Sequence, residues 1–125
     1  MTHCNISFGT FICEEAANEL AKHYSNFECY IKPIEGECYD SFQLACMANG
    51  GNKKLYDFLL DYEKERAPLD SKYGGSSAIW YRKRLSALAK GQDFTKKRPA
   101  KNFKEEAKNA GINMHNWATK MDNKL

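Results

Sequence analysis

Gly50-Gly51-Asn52-Lys53-Lys54-Leu55-Tyr56-Asp57-Phe58-Leu59 places a helix stop directly before a helix start. The glycine pair ends a segment that Asp40 or Ser41 can cap and that runs through about Asn49, with Phe42, Leu44, Ala45, Cys46 and Met47 as its apolar positions. Glycine reaches backbone conformations closed to other residues. An asparagine side chain can bond neighbouring backbone groups and hold a turn. Beyond the turn, Leu55, Phe58, Leu59 and Tyr62 recur at three- and four-residue spacing, which predicts an amphipathic helix from about Asn52 to Tyr62.

Reading toward the C-terminus, residues 66–75 hold Pro68, Asp70, Ser71, Gly74 and Gly75 and read as a loop. Ser76 or Ser77 then caps the clearest helix in the chain, to about Lys90. Ala78, Tyr81, Leu85 and Leu88 form its expected inner stripe, and Arg82, Lys83, Arg84 and Lys90 lie mostly outside it. Gly91 ends it. Trp80 and Tyr81 read as packing residues. Residues 92–100 read as a linker, and 101–111 as a short helix that needs docking to persist. His115, beside Met114 and Trp117, reads as part of a docking surface.

Toward the N-terminus, residues 27–34 read as a strand that Pro33 confines to an edge or an end. Residues 14–23 read as a helix with Ala16, Ala17 and Leu20 on one face and two glutamates at its positive end. Residues 6–13 read as one extended segment that Gly9 bends or bulges. The residues alone thus give a small α/β or α+β domain with a basic tail.

The chain has 125 residues, the size of one ordinary domain, and 42% hydrophobic and 13% aromatic residues, a globular composition. No stretch approaches the roughly 18 apolar residues of a membrane span. The N-terminus lacks the pattern of a signal peptide, and Thr2 excludes N-myristoylation. The five cysteines are an odd number with no Cys-x2-Cys pair, which points to reduced thiols in a cytoplasmic protein, most of them small buried apolar residues. Residues 1–81 carry a net charge of −5 and residues 82–125 a net of +8. A basic tail on an acidic body suits either an anionic surface, with Arg82, Arg84, Lys96, Lys97 and Arg98 as candidate contacts, or simple solvation. No Gly-x4-Gly-Lys-Ser/Thr loop and no RNA-binding signature is present, which argues against nucleotide and nucleic-acid chemistry.

The stretch that opens this section resembles the Gly-Gly-Asn segment of Arf GTPase-activating domains. Lys72-Tyr73 followed by Ala78, Tyr81-Arg82 and Arg84-Leu85 is similar to the same family's Lys-Tyr…Ala-x-x-Tyr-Arg-x-Lys-Leu helix, with the trailing Leu88-Ala89 in place. Phe8-Gly9 and Phe11-Ile12-Cys13 resemble the segment that ends at the family's third zinc cysteine. The resemblance covers roughly residues 4–91, with residues 21–46 matching poorly. It implies an α+β fold with a short three-stranded sheet flanked by helices over 1–91, followed by a basic linker and tail over 92–125. It makes Gly50, Gly51, Asn52, Tyr73, Tyr81 and Arg82 structural motif residues.

The departures fall on the chemistry. The family binds zinc through two Cys-x2-Cys pairs, and a structural zinc needs four ligands. Cys13 matches the third ligand, Ala16 takes the place of the fourth, and the first pair would map before Met1. The resemblance therefore implies a degraded zinc finger without zinc. The family's catalytic arginine, a finger worth roughly 10³–10⁵ in rate, corresponds to Ala21. Lys22 beside it cannot offer the planar fork of a guanidinium. No catalytic residue is assigned. The expectation is a catalytically impaired, Arf-GAP-like module of vesicle trafficking that binds a small GTPase of the Arf type, cytoplasmic or peripheral to endomembranes. The alternative is an adaptor whose basic tail binds an anionic membrane or nucleic acid.

Overall fold

A computed structural model describes residues 1–101. The expected helix over 101–111, apart from its first residue, and the docking surface around His115 lie outside them. Three short strands, β1 (His3–Asn5), β2 (Thr10–Ile12) and β3 (Ile31–Pro33), form an antiparallel sheet in the order β2-β1-β3. Five helices complete the domain: α1 (Glu14–His23), α2 (Ser41–Asn49), α3 (Asn52–Asp61), the single-turn α4 (Leu69–Lys72) and α5 (Ser76–Ala89). The antiparallel pairing makes the fold α+β.

The expected single strand over 6–13 is instead a hairpin. His3, Cys4 and Asn5 pair with Ile12, Phe11 and Thr10, and residues 6–9 turn between them. Gly9 closes that turn at φ +65°, a left-handed conformation that costs a side-chain-bearing residue energy. The turn was hidden in the sequence because Ile6 and Phe8 alternate as strand residues do. Ile6 and Phe8 point into the core from it, both buried. The second expected strand shortens to 31–33. Pro33 ends it on the sheet edge, and its carbonyl accepts the Tyr39 hydroxyl at 2.6 Å.

The helices follow their local signals closely. Glu14 and Glu15 open α1, and Lys22 and His23 close it, each matched to the dipole. Asp40 caps α2 in a full capping box, accepting the Gln43 N–H at 2.7 Å while Gln43 Oε1 accepts the Asp40 N–H at 3.0 Å. Two readings of α5 change. Gly75, not a serine, is its N-cap, and Ser77 is buried. Leu88, placed on the inner stripe by periodicity, is 38% exposed. Ala89, in the same last turn, packs against the Cys4, Ile6 and Cys46 cluster, while Leu88 lies on the side of the helix that borders the cleft with Arg84 and Phe58.

Aromatic packing dominates the core. Phe8, fully buried, meets Tyr73 edge-on with ring centres 4.8 Å apart and stacks near-parallel on Tyr81 at 6.1 Å. Leu20, Leu55, Leu59, Cys29 and Ala78 fill in around them. Tyr24 pins the 66–75 loop by donating its hydroxyl to the Leu69 carbonyl at 2.6 Å and accepting the Tyr73 N–H at 3.1 Å.

Residues 92–101 have no helix or strand, yet they lie along α3 and α5. The Trp80 indole donates to the Lys96 carbonyl at 3.0 Å, and the Tyr62 hydroxyl donates to the Pro99 carbonyl at 2.6 Å. The Arg98 guanidinium covers the rings of Phe58 and Tyr62 and pairs with Asp61 at 3.1 Å.

Three cysteines, Cys4, Cys29 and Cys46, are buried, while Cys13 and Cys38 are exposed. Burial pushes the Cys29 thiol from its ordinary 9.0 up to about 11, against the opposing pull of Asn5 and Arg82. The folded state therefore holds a proton that the unfolded chain releases above about pH 9. Stability contributed by Cys29 is complete below that pH and is lost as pH rises toward 11. Cys29→Ala should flatten the fall of melting temperature between pH 9 and 11, read by thermal denaturation. An equally steep fall in the variant would remove Cys29 as its source.

Candidate interaction site

The Gly-Gly-Asn turn joins the helical half to the sheet. Gly50 lies so close to Gly9 that a Cβ on Gly50 would sit 2.7 Å from the Gly9 Cα and 2.8 Å from its carbonyl oxygen. A Cβ on Gly9 would meet the Cys46 carbonyl oxygen at 2.6 Å. Gly51, at φ +135°, donates its N–H to the Gly9 carbonyl at 2.9 Å. Two chain crossings approach at backbone contact because neither carries a side chain.

Asn52 adds a second link. Its Oδ1 accepts the Phe11 N–H at 2.8 Å and its Nδ2 donates to the Phe11 carbonyl at 2.9 Å. The side-chain amide thus satisfies the outer edge of β2 as a neighbouring strand would. The sequence suggested bonds to neighbouring backbone. The partner instead lies 41 residues upstream, because the Gly9–Gly50 contact brings β2 to the start of α3. Asn52→Ala should cost about 1–2 kcal/mol from the two lost bonds. Chemical denaturation measures this, and an unchanged midpoint would show the bridge to be energetically neutral.

Cys13 is exposed at the start of α1, not a buried apolar residue. It is the N-cap, and its Sγ accepts the Ala16 N–H at 3.5 Å. Ala16 offers no metal donor. Among the described residues, no group of three or more His, Cys, Asp and Glu side chains comes together to hold a metal ion. The residues around Cys13 therefore do not fit the tetrahedral zinc bound by the family that the chain resembles. Ala21 lies exposed on the next turns of the same helix, and Lys22 beside it pairs with Glu19 at 3.3 Å.

The other residues singled out by sequence divide between core and surface. Tyr73 and Tyr81 are buried, and burial raises both phenols, Tyr73 to about 12. Arg82 is half-buried and faces away from Arg84, which lies exposed near the Trp80 ring, 6.0 Å from its centre. Arg84 and Arg98 share a cleft with Phe58 and Asp61. Lys96 and Lys97 are exposed on the segment leading to it. The five candidate cations thus do not form one patch. Arg82 sits on a separate face, and Arg98 is already engaged with Asp61. An apolar exposed surface that sequence reasoning missed also flanks the Asn52 bridge, where Phe11 and Tyr56 border a shallow depression of about 260 Å³. Alternation along β2 could have flagged Phe11, had the strand been bounded correctly.

These features define a small α+β domain in which a Gly-Gly-Asn turn ties the α2–α3 helix pair to a three-stranded sheet. A domain of that kind is similar, at 30% identity over 89 residues, to ADP-ribosylation factor GTPase-activating protein 3 of Bos taurus. The alignment takes in 68% of this chain but spans only 16% of that protein's length. No protein-family model matches the chain. The likeness, although weak, points to relatedness with Arf GTPase-activating proteins. Among the described residues, no helix is long and apolar enough to cross a membrane.

Proposed function

We propose that this chain is an Arf-GAP-like module that binds a small GTPase of the Arf type without accelerating its GTP hydrolysis. The likeness to a GTPase-activating protein supports the partner. The observation that carries the loss of catalysis is Ala21, a methyl group exposed on α1 at the position that corresponds to the family's arginine. Hydrolysis at a γ-phosphoryl group gains most from a planar, fixed cation. Lys22, paired with Glu19, offers a point charge on the same turn and no planar fork. We further propose that the fold stands without zinc, on its aromatic core and the glycine contact.

Single-turnover hydrolysis by GTP-loaded Arf, with and without the full chain, tests the reading alongside a pull-down. The expected result is capture of the GTP-loaded form with hydrolysis unchanged within a few-fold. A stimulation of roughly 1000-fold, the size an arginine finger supplies, would overturn the catalytic part, and absence of capture would overturn the partner. Elemental analysis should find no stoichiometric zinc, and a chelator should leave the melting temperature unchanged.

A second reading, contact with an anionic membrane, draws on the exposed Arg84, Lys96 and Lys97. Such binding is salt-dependent. Flotation with liposomes containing and lacking anionic lipid, across salt concentrations, checks it. Flotation insensitive to salt and lipid charge would eliminate the reading.

A further inference from the structure

A groove of about 720 Å³ lies on another face of the domain, between α2, α5 and the loop at residues 26–30. Its floor includes the buried Ile6 and Cys46. Phe27, 93% exposed, and Phe42 stand at its sides. One wall is α5, where Arg82 and Lys90 fall on the same helical face two turns apart, with Lys83 next to Arg82. No acidic residue lines the groove.

Among the described residues, the three cations, Arg82, Lys83 and Lys90, lack ion-pair partners. The Lys90 ammonium rests 5.5 Å from the centre of the Phe42 ring. The Arg82 Nη1 is buried without a hydrogen-bond partner. A buried donor left unpaired costs free energy that a complementary acceptor recovers.

We propose that this groove binds a short acidic peptide segment of a partner protein, with an aromatic or large aliphatic side chain seated between Phe27 and Phe42 and a carboxylate against Arg82. Charge complementarity selects the occupant. The chain's own residues 102–125 carry 4 basic and 3 acidic side chains, a net positive charge that offers no overall complement to a cationic groove. A membrane surface suits cations and apolar side chains on a convex face, whereas this surface is concave with an apolar floor. The inference does not rest on the proposed GTPase binding.

The test uses fluorescence anisotropy with the full chain. The probe is a labelled synthetic peptide of Asp and Glu carrying one Phe and one Leu, and its counterpart has Lys in place of every acid. The acidic peptide is expected to bind in a salt-sensitive way and the basic one not to bind. Two exposed charges are reversed in the Lys83→Glu, Lys90→Glu double variant, which should weaken binding about tenfold or more. Phe27→Ser, at a site with almost no packing, should weaken it separately, and circular dichroism confirms that both variants fold. Equal binding of the two peptides, or full binding by the double variant, would overturn the proposal. So would displacement of the peptide by phosphatidylserine vesicles through Phe27 and Lys83, which would make the groove a membrane face. Concentration-dependent dimerisation abolished by the same variants would likewise assign the groove to a second copy of the chain.

Discussion

Gly50→Ala is expected to unfold a large share of the protein at 37 °C. The added methyl group has nowhere to go. Its three nearest neighbours are all backbone atoms: the Gly9 Cα at 2.7 Å, the Gly9 carbonyl oxygen at 2.8 Å and the Cys46 carbonyl oxygen at 3.0 Å. None is the free end of a side chain that could rotate aside. Relief requires moving the β1–β2 turn away from the α2–α3 turn. That movement stretches the Gly51–Gly9 hydrogen bond and the two Asn52–Phe11 bonds together. Overpacking of a rigid contact costs about 1–3 kcal/mol, and the coupled hydrogen bonds add about 1 kcal/mol each. The total approaches the low end of the roughly 5–15 kcal/mol that hold a small domain together. Gly9→Ala should be as severe, since it adds a left-handed backbone conformation to the same clash. Gly36→Ala is the matched control. Gly36 also has positive φ, at +77°, but a Cβ there meets nothing within 4 Å. Its cost should be limited to backbone strain, about 1–2 kcal/mol. Urea denaturation of the three variants reads the difference, and equal losses at Gly36 and Gly50 would refute the steric account.

Phe8→Ala should be the most damaging change in the core, at about 3–5 kcal/mol. Phe8 is fully buried and contacts both Tyr73 and Tyr81 through their rings. It also comes from the hairpin turn rather than from a strand or helix, so its removal leaves a cavity that turn, loop and α5 must all move to fill. Phe8→Leu keeps most of the apolar volume and should cost distinctly less. Near-ultraviolet circular dichroism adds a second readout, because loss of Phe8 frees two tyrosine rings. A Phe8→Ala variant within about 1 kcal/mol of the native chain would mean that the aromatic cluster closes around the gap.

Much of the helical half was legible along the chain. The cap at Asp40 or Ser41, the stripe of Leu55, Phe58, Leu59 and Tyr62 and the stop at Gly91 are local signals, and the structure follows them, with Asp40 as the cap, because no distant contact opposed them. The hairpin was not legible. Ile6 and Phe8 in an otherwise strand-like run read as sheet residues, while Gly9 had two interpretations until its contact with Gly50 was visible. Leu88 fits the helical period but borders the open cleft between α3 and α5, which no periodicity can reveal.

The candidate sites divide in the same way. Ala16 and Ala21 are departures that the resemblance implies without coordinates, because a residue without a thiolate or guanidinium is visible in the sequence itself. The groove that holds Arg82 away from Arg84 is different. One helix carries both arginines, and only the placement of α2 and the 26–30 loop decides that Arg82 lines an apolar cleft while Arg84 faces Trp80. Local backbone preference and hydrophobic period depend on near neighbours, so the sequence by itself determined the four longer helices and most of the residues they bury, while the single-turn α4 within 66–75 and the exposure of Leu88 escaped it. The Gly9–Gly50 contact, the strand-like bond of Asn52 to Phe11 and the grouping of cations join residues far apart in the chain. Those the tertiary structure alone decided, since a close approach is defined by both surfaces that make it.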